Sequence, residues 1–242
     1  MDTRKLLVCI PTYNEIENID RIVPQVLAHI GNGQVLIIDD NSPDGTGAAA
    51  DALAQSSDRI HVLHRAQKQG LGAAHRAAFE WGIAMEFETF IQFDADGSHH
   101  PKHLPTMISL LEEYQMVIAS RRVADGGAPD WGFHRKVLSA FGTAYSKTIL
   151  GVPFSDVTAG FNGFHRTILT KIDFDSFLSD EYFFQVELKY RCFHAGASYT
   201  EFPIVFLPRI HGKSKITPRI IVDAISRTLE LRLRHLLKNA GF

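Results

Sequence analysis

Short apolar runs alternate with longer segments of helical spacing through the first half of the chain. Residues 6–10, 35–39, 60–63, 89–94 and 116–120 read as strands, and residues 16–30, 44–55, 72–87 and 101–114 as helices. Strand and helix in regular alternation predict a parallel sheet covered by helices, an α/β fold. Alanine content favours the 72–87 helix, and Pro101 suits a first helical turn. Beyond residue 122 the alternation lapses. A loop at 125–130 precedes a helix over 135–150, an irregular glycine-containing stretch over 156–164, a helix over 180–194 and a strand over 199–206. A last helix is expected over 218–238. Neither repeats nor low-complexity tracts interrupt this order, and nothing reads as a linker.

Open sheets of this kind bind ligands beyond the carboxyl ends of their strands. Four polar clusters directly follow predicted strands: Pro11-Thr12-Tyr13-Asn14-Glu15, Asp39-Asp40-Asn41, Asp94-Ala95-Asp96 and Ser120-Arg121-Arg122. They are expected to share one rim. Asp94 and Asp96 stand one residue apart at the end of an apolar strand, where residues i and i+2 point the same way. Two converging carboxylates repel unless a positive charge lies between them. A hard divalent cation that also binds phosphate oxygens resolves that repulsion. Aspartates after strands also cap turns, so the pair alone leaves both roles open.

The neighbouring clusters add recognition chemistry. Asp40 is suited to accept hydrogen bonds from a ribose or a base edge, while Asp44 is adequate as a helix cap. Tyr13 offers a ring to a nucleobase and Glu15 a carboxylate to a base edge, although an acid there also suits the start of a helix. The glycines at 45, 47, 70 and 72 do not form the G-x-G-x-x-G spacing after the first strand, which argues against a dinucleotide cofactor. Arg209, His211, Lys213 and Lys215 surround Gly212 in a basic loop of the kind that grips phosphates. Arg121, Arg122 and Arg135, with Ser139 one turn beyond Arg135, form a second cationic group. His99, His100 and His103 have no usual zinc spacing, and their acidic neighbours suit harder cations.

Composition narrows the class further. The 242 residues are 45% hydrophobic and 21% charged with a net charge of −2, an ordinary globular make-up without a field that favours nucleic acid. Cys9 and Cys192 read as core residues of a reducing compartment. Residues 1–10 are too short for a secretory signal, and no run of apolar residues is long enough to span a bilayer. The last helix sets Ile221, Ile225, Leu229, Leu233, Leu236 and Leu237 near one face, with Arg227, Arg232, Arg234 and Lys238 elsewhere. Such a helix packs on its domain or lies in a membrane interface.

Taken in order, Pro11-Thr12-Tyr13-Asn14-Glu15, Asp39-Asp40-Asn41-Ser42-Pro43-Asp44-Gly45-Thr46, Gly70-Leu71-Gly72, Asp94-Ala95-Asp96-Gly97-Ser98-His99 and Arg209-Ile210-His211-Gly212-Lys213-Ser214-Lys215 carry a resemblance. The chain resembles the dolichol-phosphate (polyprenol-phosphate) mannose synthases, glycosyltransferases of family 2 with the GT-A fold. The resemblance implies a single GT-A catalytic domain over 1–216, with a mostly parallel central sheet flanked by helices. Residues 217–242 would form a C-terminal amphipathic helix, packed on the domain or on a membrane surface. It implies inverting transfer of mannose from GDP-mannose to a polyprenyl phosphate in the membrane, at its cytoplasmic face. A membrane-anchoring partner subunit would be compatible with the lack of a spanning segment.

By match to the family, Pro11, Tyr13, Glu15, Ile38 and Asp40 would hold the guanosine end. Asp94, Ala95 and Asp96 would hold the diphosphate, with Asp94 and Asp96 the ligands of Mg²⁺ or Mn²⁺. Arg209 and Lys215 would close over the diphosphate and complete a catalytic set with the two aspartates. Arg121, which also reaches the donor, would receive the lipid phosphate together with Arg135 and Ser139. Two departures stand out: Ser98 where some members carry a metal-binding glutamine, and Glu181 where a glycine is usual. An ionised phosphate acceptor needs no general base. In agreement, the 156–160 segment lacks the adjacent Glu-Asp pair of processive synthases, and no Gln-x-x-Arg-Trp is present. Rival readings are the same catalyst with another donor such as UDP-glucose, a nucleotidyltransferase, and a non-catalytic sugar-nucleotide-binding subunit. The nucleotidyltransferase would need a basic glycine-rich loop after the first strand, which residues 11–15 are not.

Overall fold

The computed structural model describes residues 5–208 and 217–239. Seven strands form one sheet: β1 Leu6–Thr12, β2 Gln34–Asp39, β3 Ile60–His64, β4 Thr89–Gln92, β5 Met116–Ser120, β6 Asn162–His165 and β7 Tyr199–Pro203. Their spatial order is β3-β2-β1-β4-β6-β5-β7, parallel except for β6, which runs antiparallel to both β4 and β5. The helices are α1 Ile16–Leu27, α2 Thr46–Ser56, α3 Leu71–Ala84, α4 Leu104–Leu110, α5 Phe133–Leu150, α6 Arg166–Leu169, α7 Phe183–His194 and α8 Pro218–Asn239. This is the mostly parallel, helix-flanked sheet expected from the alternation.

Both faces of the sheet are buried, as a parallel sheet requires. On β1, Leu6, Val8 and Ile10 face one core, with α1, α2 and α4, while Leu7 and Cys9 face the other, with α3 and α7. Every one of these side chains has 0% exposure. The chain leaves β1 toward β2 on one side, and β4 pairs on the other. The carboxyl ends of β1, β2 and β4 therefore open around a switch in strand order, where such folds bind ligands.

Three local differences from the sequence expectation have physical causes. β4 ends at Gln92, not Asp94; Phe93 N still donates to Cys9 O (3.0 Å), and the chain then turns through Gly97, whose φ is 74°. β6 occupies part of the stretch expected to be irregular, because Gly163 lets the side chains of Leu111 and Met107 pack where a Cβ would stand. α7 begins at Phe183, not 180. The Asp180 carbonyl is used instead to accept from Gly72 N (2.7 Å) and Ala73 N (3.3 Å), capping the start of α3. The 101–114 segment is likewise split, into a 3₁₀ turn at Pro101–His103 and α4.

The last helix packs on α5 and α7. Tyr145 Oη donates to Ile225 O at 3.1 Å, and the His235 ring lies 4.3 Å from that of His194 and 5.6 Å from that of Tyr190. Leu231 and Thr228 are buried in this contact.

The α3–α7 junction sets how the sheet's ligand edge is walled. A Cβ on Gly72 would lie 2.5 Å from Phe184 Cβ, which belongs to a helix core and cannot swing away. Gly72→Ala is expected to destabilise the protein by about 1–3 kcal/mol, the usual cost of overpacking, measured by chemical denaturation.

Candidate functional site

A cavity of about 280 Å³ opens at the carboxyl ends of β1, β2 and β4, lined by Pro11, Tyr13, Glu15, Asp40, Lys68, Asp94, Ala95 and Asp96 among others. Three of the four strand-end clusters thus meet in one place. Beyond β1, Asn14 takes a left-handed φ of 56°, and Glu15 N donates to Thr46 Oγ1 at 2.9 Å. That bond ties the β1–α1 turn to the start of α2. Glu15 also stands at the N-cap of α1, where its carbonyl accepts from Asn18 N and its carboxylate accepts from Asn18 Nδ2 at 2.7 Å. Capping and cavity lining coexist in this one residue.

Asp40 is 5% exposed and is held by a residue that the sequence reading did not single out. Arg65 Nη1 donates to Asp40 Oδ1 at 2.6 Å, and Gln69 N reaches Oδ2 at 3.4 Å. Burial pushes the Asp40 carboxyl above the usual carboxylate range, with Arg65 opposing that rise. A second missed residue is Lys68, whose Nζ stands 4.1 Å from the centroid of the Tyr13 ring. Both lie on the β3–α3 loop. Their signal was the basic spacing just before Gly70-Leu71-Gly72, a stretch read for its glycines alone. Ile38, by contrast, has its side chain in the core with 0% exposure and does not line the cavity.

The two aspartates sit together in the cavity wall through a turn rather than through strand alternation. Asp96 is 7% exposed and accepts from Ser98 N at 2.9 Å. His99 is buried among Phe93, Phe161 and Phe206, with Nε2 3.4 Å from Asp94 Oδ2. His100 instead accepts from Lys102 N at 3.1 Å, and the His103 ring lies tilted beside Phe202 at 6.3 Å. The three histidines therefore point to different partners. Behind the wall, His75 on α3 is fully buried between Phe79 and Phe184, and both its ring nitrogens lack partners. Burial lowers its pKa to about 4, so the ring is neutral although the Asp94 charge pulls the other way.

Among the described residues, no three His, Cys, Asp or Glu side chains are grouped to hold a metal by themselves. Asp94 and Asp96 nevertheless fit a hard cation that takes the rest of its shell from phosphate oxygens and water.

The fourth strand-end cluster lines a separate cavity of about 130 Å³, with Arg121, Arg122, Ala128, Trp131, Lys136 and Ser139. Arg121 is not among the residues around the first cavity. Its guanidinium grips the fully buried Asp156 in two bonds of 2.7 Å and donates to Thr158 Oγ1 at 2.9 Å. It is Arg122 that donates to Ser139, at 2.8 Å, while its buried Nε has no hydrogen-bond partner. Arg209 and Lys215 lie outside the described residues, as does the side chain of Arg135.

The segment after Asp156 joins the two cavities. Asp156 N and Ser155 N donate to Glu201 (3.0 and 2.7 Å), and the buried Lys189 Nζ donates to Ala159 O at 2.6 Å. A Cβ on Gly160 would stand 3.8 Å from Asp94 Oδ2. Burial lowers the Lys189 pKa to about 7, against the pull of the Asp156 charge.

A family model described as glycosyl transferase family 2 matches residues 7–173. The chain is 41% identical over 240 residues to a polyprenol monophosphomannose synthase of Mycolicibacterium smegmatis, covering 98% of this chain and 91% of that one. It is 38% identical to an undecaprenyl-phosphate mannosyltransferase of Micrococcus luteus, covering 91% of each. Among solved structures, glucosyl-3-phosphoglycerate synthase from Mycobacterium tuberculosis in complex with Mn²⁺ and UDP-glucose superimposes with a TM-score of 0.69. At 20% identity, with 94% of this chain and 78% of that one covered, this likeness concerns the fold.

The Arg121–Asp156 pair yields a test of how the second cavity is built. Burial pushes the Asp156 carboxyl up, but the Arg121 bonds and charge outweigh it and hold the group at about 2, below its ordinary 3.8. A carboxylate depressed in the folded state stabilises above the unfolded pKa, and that stability is lost as pH falls from about 3.8 toward 2. Arg121→Leu is expected to cost about 3–5 kcal/mol near neutrality, the penalty for stranding a buried charge. The deficit should narrow in acid, where the stranded carboxyl protonates, as read from denaturation curves at several pH values.

Proposed function

The chain belongs to glycosyl transferase family 2, and we propose that it is an inverting mannosyltransferase taking GDP-mannose as donor and polyprenyl phosphate as acceptor. The observation that carries this reading is the first cavity. It unites Tyr13, Glu15, Asp40, Asp94 and Asp96 at the sheet's switch point, in a chain 41% identical over 98% of its length to a named polyprenol monophosphomannose synthase. Residues 1–216 form the catalytic domain, and residues 217–242 carry the C-terminal helix.

The residues divide the work by their chemistry. Asp40, oriented by Arg65, presents its carboxylate to the base edge, and Tyr13 presents a ring to the base. Pro11, Glu15 and Ala95 complete that wall. Asp94 and Asp96 would hold Mg²⁺ or Mn²⁺, which when bound neutralises the charge that builds on the departing nucleoside diphosphate. His99 fixes the orientation of Asp94 at 3.4 Å. Arg209 and Lys215 add cationic hydrogen bonds to the same diphosphate. The acceptor phosphate is anionic at neutral pH and attacks without a general base.

The second cavity receives that phosphate. Arg122, Lys136 and Ser139 line it, with Arg121 locked in its wall by Asp156, and Arg135 stands one helical turn before Ser139 on α5. The lipid tail requires work at a membrane surface. No helix among the described residues is long and apolar enough to cross a membrane. Because the acceptor is a membrane lipid, we propose that the enzyme works peripherally on the cytoplasmic face, with or without an anchoring partner subunit.

With a short polyprenyl phosphate and Mn²⁺ or Mg²⁺, the purified protein is expected to convert GDP-mannose into lipid-linked mannose and GDP. A donor panel tests the assignment directly, since faster turnover of UDP-glucose than of GDP-mannose would replace the donor named here. Asp96→Ala is expected to abolish turnover. Lys215→Ala should lose on the order of 2 kcal/mol of transition-state stabilisation, about thirtyfold in kcat/KM, as for a lost charge-assisted contact.

A further inference from the structure

Lys189 on α7 has 0% exposure, and among the described residues it is the one lysine or arginine that the core buries completely. A buried ammonium forfeits its hydration and needs compensation nearby. Its Nζ donates to a backbone carbonyl, Ala159 O, at 2.6 Å. Two carboxylates whose charges favour it are engaged elsewhere: Asp156 by Arg121, and Glu201 by the N–H groups of Ser155 and Asp156. Arg121 opposes its charge, and the Cys192 thiol on the same helix is pushed up to about 12 by burial. The side chains around Ala159 O are neutral amides. Asn162 Nδ2 also donates to it at 2.9 Å, and to Gln92 Oε1 at 3.0 Å and Gln185 Oε1 at 3.3 Å. Farther along α7, α3 brings the neutral His75 beside Phe184, α8 brings His235 beside Tyr190 and His194, and Glu187 pairs with Arg191.

The carbonyl that Lys189 holds ends a tight turn around Arg121. Ala159 N donates to Asp156 O at 3.3 Å, which closes the segment on itself. Within the turn, Asp156 takes the Arg121 guanidinium in two bonds and accepts from Arg121 N in a third, at 3.0 Å. Thr158 Oγ1 accepts from the same guanidinium and donates to Asp156 Oδ1 at 3.2 Å. Arg121 in turn lines the second cavity. Lys189 is thus connected to that cavity through Ala159, Asp156 and Arg121 without a gap in hydrogen bonding.

We propose that Lys189 is a positioning residue for the acceptor phosphate: it pins Ala159 so that the 156–159 turn locks Arg121 into the cavity wall, and it sets a positive charge behind that wall. This rests on the reading given above of the second cavity as the acceptor site. Burial brings the Lys189 pKa down to about 7, against the pull of the Asp156 charge. The side chain is therefore charged below that pH and neutral above it. An anion seated in the cavity favours the charged form. Phosphate binding must then draw a proton onto Lys189, and by reciprocity a rise in pH through about 7 must weaken phosphate binding.

The test uses the full chain with farnesyl phosphate as a soluble probe, its binding followed by calorimetry between about pH 6.5 and about pH 9 in buffers of different ionisation enthalpy. The parent is expected to bind the probe at least about fivefold more weakly at the alkaline end, with net proton uptake on binding above neutrality. The probe completes its own ionisation near about pH 6 and contributes alike to every variant. Lys189→Arg, charged throughout, should match the parent in mild acid and keep that affinity in alkali, without the uptake. Lys189→Met should bind weakly at every pH, also without the uptake. Exchanging a buried charge for an apolar chain of similar size is tolerated, so Lys189→Met keeps the test decisive if the bulkier arginine prevents folding; denaturant midpoints show which variants fold. An alkaline weakening that survives in the variants, or Lys189→Met binding as tightly as the parent, overturns the role of Lys189. So does a weakly binding Lys189→Met whose proton uptake equals the parent's, which would mark support of the fold alone. If the parent does not bind farnesyl phosphate, or Arg122→Ala binds it as the parent does, the reading of the cavity falls and the inference with it.

Discussion

Two carboxylates share the wall of one cavity, and their mutual repulsion is the constraint around which the sheet edge is organised. Asp96 is nearly buried and Asp94 is partly enclosed beside His99, so both carboxylates face the cavity with reduced access to water. Backbone helps to set them: the turn after β4 carries both, and Ser98 N donates to Asp96 at 2.9 Å. Two carboxylates in one wall favour the arrival of a cation that also binds phosphate oxygens. The fold supplies the place for both, beyond the carboxyl ends of parallel strands where the strand order reverses.

The same logic separates the two cavities. Around the second, positive charge predominates, and the protein provides the counter-charge internally through Asp156. Arg121 is thereby converted from a free cation into a fixed wall element, leaving Arg122 and Lys136 as the groups that face the space. The 156–160 segment runs between the two sites, with Asp156 gripping Arg121, Ala159 O held by Lys189, and Gly160 on the side of Asp94, where a Cβ would stand 3.8 Å from Oδ2.

Much of this was legible in the chain, for identifiable reasons. β1 and β2 are continuous apolar runs ended by polar clusters, so their extents and the convergence of Tyr13, Glu15, Asp40, Asp94 and Asp96 followed from the rule for parallel sheets. What escaped was whatever depends on partners distant in sequence. β6 has no alternation to read, since Asn162 and Gly163 are set by what packs on them. Residues 180–182 look helical, yet they precede α7, and the Asp180 carbonyl serves as a cap for α3, more than a hundred residues away. Arg65 and Lys68 are a weak basic signal before Gly70, and only the fold brings them to Asp40 and Tyr13. Arg121 reads as an available phosphate ligand until Asp156, thirty-five positions on, is seen in its grip.

The central claim is that Asp94 and Asp96 seat a divalent cation together with a nucleoside diphosphate in the first cavity. Diffraction from crystals grown with GDP and Mn²⁺, recorded where manganese scatters anomalously, tests it most directly. The account predicts one strong anomalous peak between these carboxylates and the diphosphate, with the guanine beside Tyr13 and Asp40. A manganese peak elsewhere, or a nucleotide bound away from both aspartates, would contradict it.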